Sequence, residues 1–302
     1  MPDLVDARRT ILYALGANIS IAIAKLLTAF YSGSQAMLAE AVHSFADCIN
    51  QALLIVGMHR AKRPANEEHP LGYGMAIYFW SFIVALMLFS MGGLYSIYEG
   101  WNKLSTGSPL SASGVAIVIL LFSIAMEAVS LRACLREVDK TRGRRSFWRW
   151  FRETRHSELV VVIGEDLAAL AGLIIALVAI TLAAMTGDPF YDAAGSILIG
   201  ALLIVVAHAI ATQGASQLIG KSVEPEMRRA IDMFLGERHE IDRVYNLITL
   251  QLGDDIMVAV KARMSPSSSA SETIVAINAC EKALTNAFPR IRWVFFEPDD
   301  RD

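Results

Sequence analysis

Apolar residues run almost unbroken through six stretches of the chain: Ile11–Tyr31, Gln35–His59, Gly74–Trp101, Ser113–Leu135, Leu159–Thr186 and Phe190–Gln213. A helix needs about 20 such residues to cross roughly 30 Å of hydrocarbon, so each stretch predicts a membrane span. From about Lys221 the pattern changes to that of a soluble unit. Glu224-Pro225-Glu226 opens an amphipathic helix, with Pro in the first turn and acids at its positive end. Val244–Leu252 and Ile256–Met264 alternate apolar and polar positions and are parted by Gly253-Asp254-Asp255, a hairpin signal. Ser265–Ser271 is a polar loop, Glu272–Phe288 a helix, and Ile291–Glu297 a last strand. The expectation is a polytopic α-helical membrane domain of six transmembrane helices over residues 1–215. A cytoplasmic α+β domain over residues 216–302 follows it, ordered α-β-β-α-β.

Composition agrees with that division. The chain is 54% hydrophobic and 19% charged, with a mean hydropathy of +0.43, which is unusual for a soluble protein of 302 residues. Its opening, Met1-Pro-Asp-Leu-Val-Asp-Ala-Arg-Arg, does not read as a cleavable signal. Cys48, Cys134 and Cys280 are far apart and form no CxxC, which excludes a Cys-rich zinc site and argues against a disulfide framework.

Net charge is only −3, but the basic residues are unevenly placed. Arg8-Arg9, the run His59-Arg60-Ala61-Lys62-Arg63 and the segment Arg136–Arg155 are rich in Arg and Lys, whereas 32–34, 102–112 and 187–189 contain one basic residue, Lys103. The positive-inside rule puts both termini and the basic loops in the cytoplasm. The expected location is a bacterial inner membrane. Phe147–Arg155 mixes aromatics with arginines, which beside a membrane reads as an anchor on anionic lipid rather than a nucleic-acid patch.

The second span carries the candidate chemistry. His43 and Asp47 are four residues apart, hence one turn apart on one helix face, and Glu40 and Asn50 or Gln51 fall on the same stripe. An ionisable group at bilayer depth costs about 2.5–3.5 kcal/mol on insertion scales, so it needs a partner or a task. One nitrogen with several oxygens is the donor set of a divalent cation. The alternative is a polar seam in which His43 bonds to Asp47. Cys48 points about 100° away from Asp47 and suits packing.

Five motifs together resemble the cation diffusion facilitators, proton-coupled exporters of zinc and related divalent metals. They are Ala14-Leu-Gly-Ala-Asn18 with Lys25, Ala39-Glu-Ala-Val-His43-Ser-Phe-Ala-Asp47, His69-Pro70-Leu71-Gly72-Tyr73-Gly74, Asp188–Gly200, and Leu218–Pro225. Glu165-Asp166 and the run after Val42 are most similar to the branch of that family containing a mitochondrial zinc transporter, number 9, of animals. The resemblance implies a transporter and not an enzyme, with no prosthetic group. Its metal site would be His43, Asp47 and Asp166, with Glu165 as the fourth member. Zn2+ is the expected cargo, with Mn2+, Fe2+ or Co2+ compatible with a site of one histidine among carboxylates. The resemblance further implies proton exchange, a homodimer through a ferredoxin-like C-terminal domain, and no nucleic-acid partner.

Two positions depart from the family pattern. Val162 stands where a metal-binding His is usual, and Tyr73 replaces the later His of the loop, which weakens a loop site at Glu68 or His69. His239 and Glu297-Pro298-Asp299-Asp300 read as a solvated face and a charged tail. The other classes weighed are a metal-gated channel or non-transporting membrane scaffold, and an intramembrane metalloenzyme. For the enzyme no HExxH-like or Ser/Lys arrangement is present.

Overall fold

A computed structural model describes residues 12, 15, 16, 18–24, 26, 27, 30, 35–106 and 114–301, with the backbone alone for 35–43, 106 and 114–116. Part of the first expected span falls outside these; its described residues are helical. Helix α1 is Gln35–Ala61. A long rod follows, made of α2 (Ala76–Met87), a π turn (Leu88–Leu94) and α3 (Tyr95–Thr106). Then come α4 (Gly114–Arg142), the short α5 (Phe147–Glu153), α6 (Ser157–Thr186) and α7 (Phe190–Gly220). Among the described residues, four helical stretches are long and apolar enough to cross a membrane: the rod, α4, α6 and the one beginning at Phe190.

The rod and α7 approach closely. A Cβ added at Gly93 would lie 2.6 Å from Ile204 Cγ1, and one at Gly200 would lie 2.6 Å from the Gly93 carbonyl oxygen. Small residues that let backbones meet are the usual basis of helix association in lipid, where no hydrophobic force draws helices together. Lys103 pins the far end of the same pair, 3.0 Å from Asp192 and 3.4 Å from the Ser196 hydroxyl. The expected third span, Gly74–Trp101, is therefore interrupted by a π turn at this contact. The fourth helix runs on to Arg142, seven residues past Leu135, because Glu137–Lys140 and Asp139–Arg142 pair one turn apart on its polar end.

The C-terminal unit comprises α8 (Pro225–Gly236), β1 (Ile241–Leu252), β2 (Asp255–Met264), α9 (Ala270–Ala287) and β3 (Ile291–Pro298). The sheet order is β1-β2-β3, antiparallel between the first two and parallel between the last two. Ser269 caps α9 by accepting from the Glu272 amide, while the Glu272 carboxylate accepts from the Ser268 amide at 2.8 Å. Ile231, Leu235, Ile256, Val258, Val260, Cys280 and Leu284 form its core. Ile248 and Phe295 are more than half exposed. All three cysteines are buried and free.

Two contacts join this unit to the helices. The β1–β2 turn presses on residue 74, where a Cβ would lie 2.0 Å from the Leu252 carbonyl oxygen. Gly253 has φ +67°, donates its amide to the Tyr78 hydroxyl at 3.1 Å and accepts from it at 3.4 Å. Arg155 donates to the carbonyls of Ser222 (2.7 Å) and Val223 (3.2 Å). In the aromatic segment before α6, Trp150 is wholly buried in the helix core while Trp148 is exposed, so only part of it faces outward.

Candidate metal centre

Acids lie on three neighbouring helices. Helix α1 supplies Asp47 and, one turn on, Asn50; α6 supplies Glu165 and Asp166; α4 supplies Glu127 and Ser130. Consecutive residues on a helix point about 100° apart, so Glu165 and Asp166 address different neighbours. Asn50 Nδ2 donates to Glu165 Oε1 at 3.2 Å, tying α6 to α1. Ser130 donates to Asp166 Oδ2 at 3.3 Å, tying α6 to α4, and Glu127 lies near Asp166. Asp47 is close enough for its charge to act on both α6 carboxylates. Glu165 and Asp166 are 7% and 3% exposed, and Asn50 4%.

Two oxygens in this cluster, Glu165 Oε2 and Asn50 Oδ1, are buried without a hydrogen-bond partner among the described residues. A buried acceptor left unpaired costs about 1–3 kcal/mol, more when charged. Asp47, Glu127, Glu165 and Asp166 offer oxygen donors, the kind a hard or borderline divalent cation takes, but they do not close into one shell in this arrangement. Among the described residues no three His, Cys, Asp or Glu side chains stand close enough to share one ion. The side chains of Glu40 and His43 lie outside the described residues; their backbone sits on α1, two turns and one turn before Asp47.

The other candidates lie elsewhere. Glu68 and His69 are in the exposed loop between α1 and α2. His69 stacks on Tyr73 with ring centroids 4.2 Å apart, and its amide and carbonyl close the turn with Asn66 Oδ1 and the Gly72 amide. His239 is exposed beside Glu240, and Asp299 pairs with Lys261 at 3.0 Å. Glu127 and Ser130 went unnoticed in the sequence, although Glu127 is the lone acid of an otherwise apolar run from Val115 to Leu131.

The apolar helices, with Glu165 and Asp166 buried on α6 and Asp47 and Glu127 half-buried on its neighbours, suit a membrane cation carrier, and comparison with known proteins agrees. Residues 11–219 match the cation efflux transmembrane domain, and the chain belongs to the cation efflux family of transporters, which are not enzymes. A Xenopus laevis protein named proton-coupled zinc antiporter SLC30A9, mitochondrial, is 32% identical over 231 residues, 76% of this chain and 41% of that one. Metal tolerance protein C4 of Arabidopsis thaliana is 32% identical over 246 residues, 80% of this chain and 53% of that one. The chain thus spans about half the length of these two relatives. The magnetosome protein MamB of Magnetospira sp. (strain QH-2) is 23% identical over 283 residues, 93% of this chain and 90% of that one. In this family metal ions are substrates, and no prosthetic group is indicated.

Proposed function

We propose that this protein exports a divalent transition metal, zinc first, from the cytoplasm in exchange for protons. Mn2+, Fe2+ and Co2+ remain compatible cargoes. The cargo would be held by His43 and Asp47 of the second span and by Glu165 and Asp166 of the fifth, with Asn50, Glu127 and Ser130 orienting the carboxylates. One observation carries this reading: the buried Glu165 Oε2, which has no hydrogen-bond partner among the described residues, near other carboxylates at the helix interface. A cation meets that oxygen's need.

Proton coupling follows from the same groups. Metal binding needs ionised carboxylates and neutral imidazole, so protons and metal compete for one site. Facing the cytoplasm the site loads metal; facing the other side it is protonated and releases it. Asp166 and Glu165 bridge α4 and α1, so a shift of α6 against either neighbour would remake the site.

The chain reads best as six spans over 1–215 and a cytoplasmic ferredoxin-like unit over 216–302, in a bacterial inner membrane with both termini inside. A homodimer is part of this reading. A unit of about 80 residues is marginal alone, and Ile248 and Phe295 leave apolar surface on the sheet. Replacing Asp47 by Asn keeps shape and removes charge; the reading expects transport to be lost while the protein still inserts. Transport at the parental rate by Asp47→Asn would refute it.

A further inference from the structure

The helices and the C-terminal unit meet around a cavity of about 250 Å³. Its wall is cationic, with Lys140 from the end of α4, Arg145 from the turn after it, Arg155 and His156 at the entrance to α6, and Arg290 just before β3. Glu224 is the only acid among the described residues lining it, and Arg145 already binds it at 2.7 Å. Of the nearby acids, Glu137 pairs with Lys140 at 2.7 Å and Glu158 with His156 at 3.2 Å, while the charge of Asp254 reaches His156 and Arg290.

Arg155 stands out on this wall. Its hydrogen bonds among the described residues go to the carbonyls of Glu153, Thr154, Ser222 and Val223 and to no carboxylate. Burial pushes its guanidinium below the ordinary value despite Glu224 and Glu153 nearby. A desolvated charge without a matched partner is costly, and removing one partner of a buried pair costs more than the pair gains. Arg290 is held by Nε to the Asp254 carbonyl at 2.9 Å, and no hydrogen bond from its terminal nitrogens is seen among the described residues.

Guanidinium groups match the oxygens of a phosphate by geometry as well as charge. Pockets for whole organic ligands run about 300–1,000 Å³, and this one is smaller, so it suits a compact anion. We propose that the cavity binds a phosphate group, from an anionic lipid headgroup or from free phosphate, and so fastens the C-terminal unit to the membrane helices. The cationic groups come from three separate segments, α4 with its turn, the start of α6 and the β3 approach, and an anion at the centre would tie all three.

The test follows the unfolding midpoint of the full-length protein in detergent and needs no transport. Sodium phosphate is compared with sodium chloride at matched ionic strength, and mixed micelles with phosphatidic acid are compared with phosphatidylcholine. The expected result is a rise of roughly 2–4 °C once the probe exceeds its dissociation constant several-fold. A rise with phosphate assigns a soluble anion; a rise with phosphatidic acid alone assigns a lipid. The double substitution Lys140→Gln with Arg290→Gln should abolish the rise. Each single change should raise the phosphate needed by roughly tenfold, whereas Arg292→Gln, on an exposed residue away from the cavity, should leave it intact. No rise with either probe, or an equal rise in the double variant, which would mark a general salt effect, overturns the proposal.

Discussion

Asn50 gives the most discriminating test of the metal centre, because its role separates from stability. Its amide bonds to Glu165 Oε1 at 3.2 Å across the α1–α6 interface. A side-chain hydrogen bond inside a membrane bundle contributes about 0.6 kcal/mol, so Asn50→Leu should shift the unfolding midpoint by only about 2 °C. Groups that orient a metal ligand count for more: their loss typically costs about 10–100-fold in metal affinity, or roughly 1.4–2.7 kcal/mol. Zinc uptake into proteoliposomes, measured over a range of zinc concentrations, should show KM raised by that factor with the maximal rate less affected. Asn50→Asp removes the donor but keeps an oxygen, and it places a second charge beside Glu165. If the amide acts as a donor, Asp fails as Leu does. A KM within about twofold of the parent in Asn50→Leu, or full rescue by Asp, would refute the reasoning.

Three further outcomes are expected. Asp166→Ala should abolish transport and Glu165→Ala should weaken zinc affinity while leaving measurable flux; the reverse severities in the same proteoliposome assay would make Glu165 the principal fifth-span ligand. Gly74→Ala forces a methyl into the Leu252 carbonyl; it should cost about 1–3 kcal/mol and speed hydrogen exchange at the Gly253 amide, while Gly236→Ala, with open space around it, should change neither. At His156, burial opposes the charge, but the Glu158 carboxylate at 3.2 Å outweighs it and raises the pKa. The resulting stabilisation is fully present below the unfolded value of about 6.5 and lost as pH rises through the raised folded value. Asp254, raised by burial and then by Glu158, also loses stability as pH rises, but from its unfolded value of about 3.9 upward. The unfolding midpoint should therefore fall as pH rises above about 6.5, less steeply in His156→Gln; equal slopes would contradict this.

Apolar run length made the helical membrane part and the hairpin unit legible from sequence, since lipid and a pleated sheet each impose a simple period. The π turn at Leu88–Leu94 was not legible, because it arises from the approach of Gly93 to Gly200, a contact between distant segments. The pairing of Glu165 with Asn50 could be anticipated only as a shared stripe of polar residues; which α6 acid faces α1 depends on helix rotation, which periodicity does not give. Glu127 was visible as a lone acid, but its nearness to Asp166 needs the placement of α4 beside α6. Arg155 read as one more interfacial arginine, whereas its guanidinium caps carbonyls of the chain leaving α7.

The central claim, proton-driven export through an intramembrane carboxylate site, is tested most directly by zinc flux in proteoliposomes under an imposed pH gradient. With an acidic interior, the purified protein should draw zinc inward, the uptake should collapse when an ionophore dissipates the gradient, and Asp47→Asn should show none. Uptake that persists unchanged without the gradient, or that Asp47→Asn supports at the parental rate, would contradict the account.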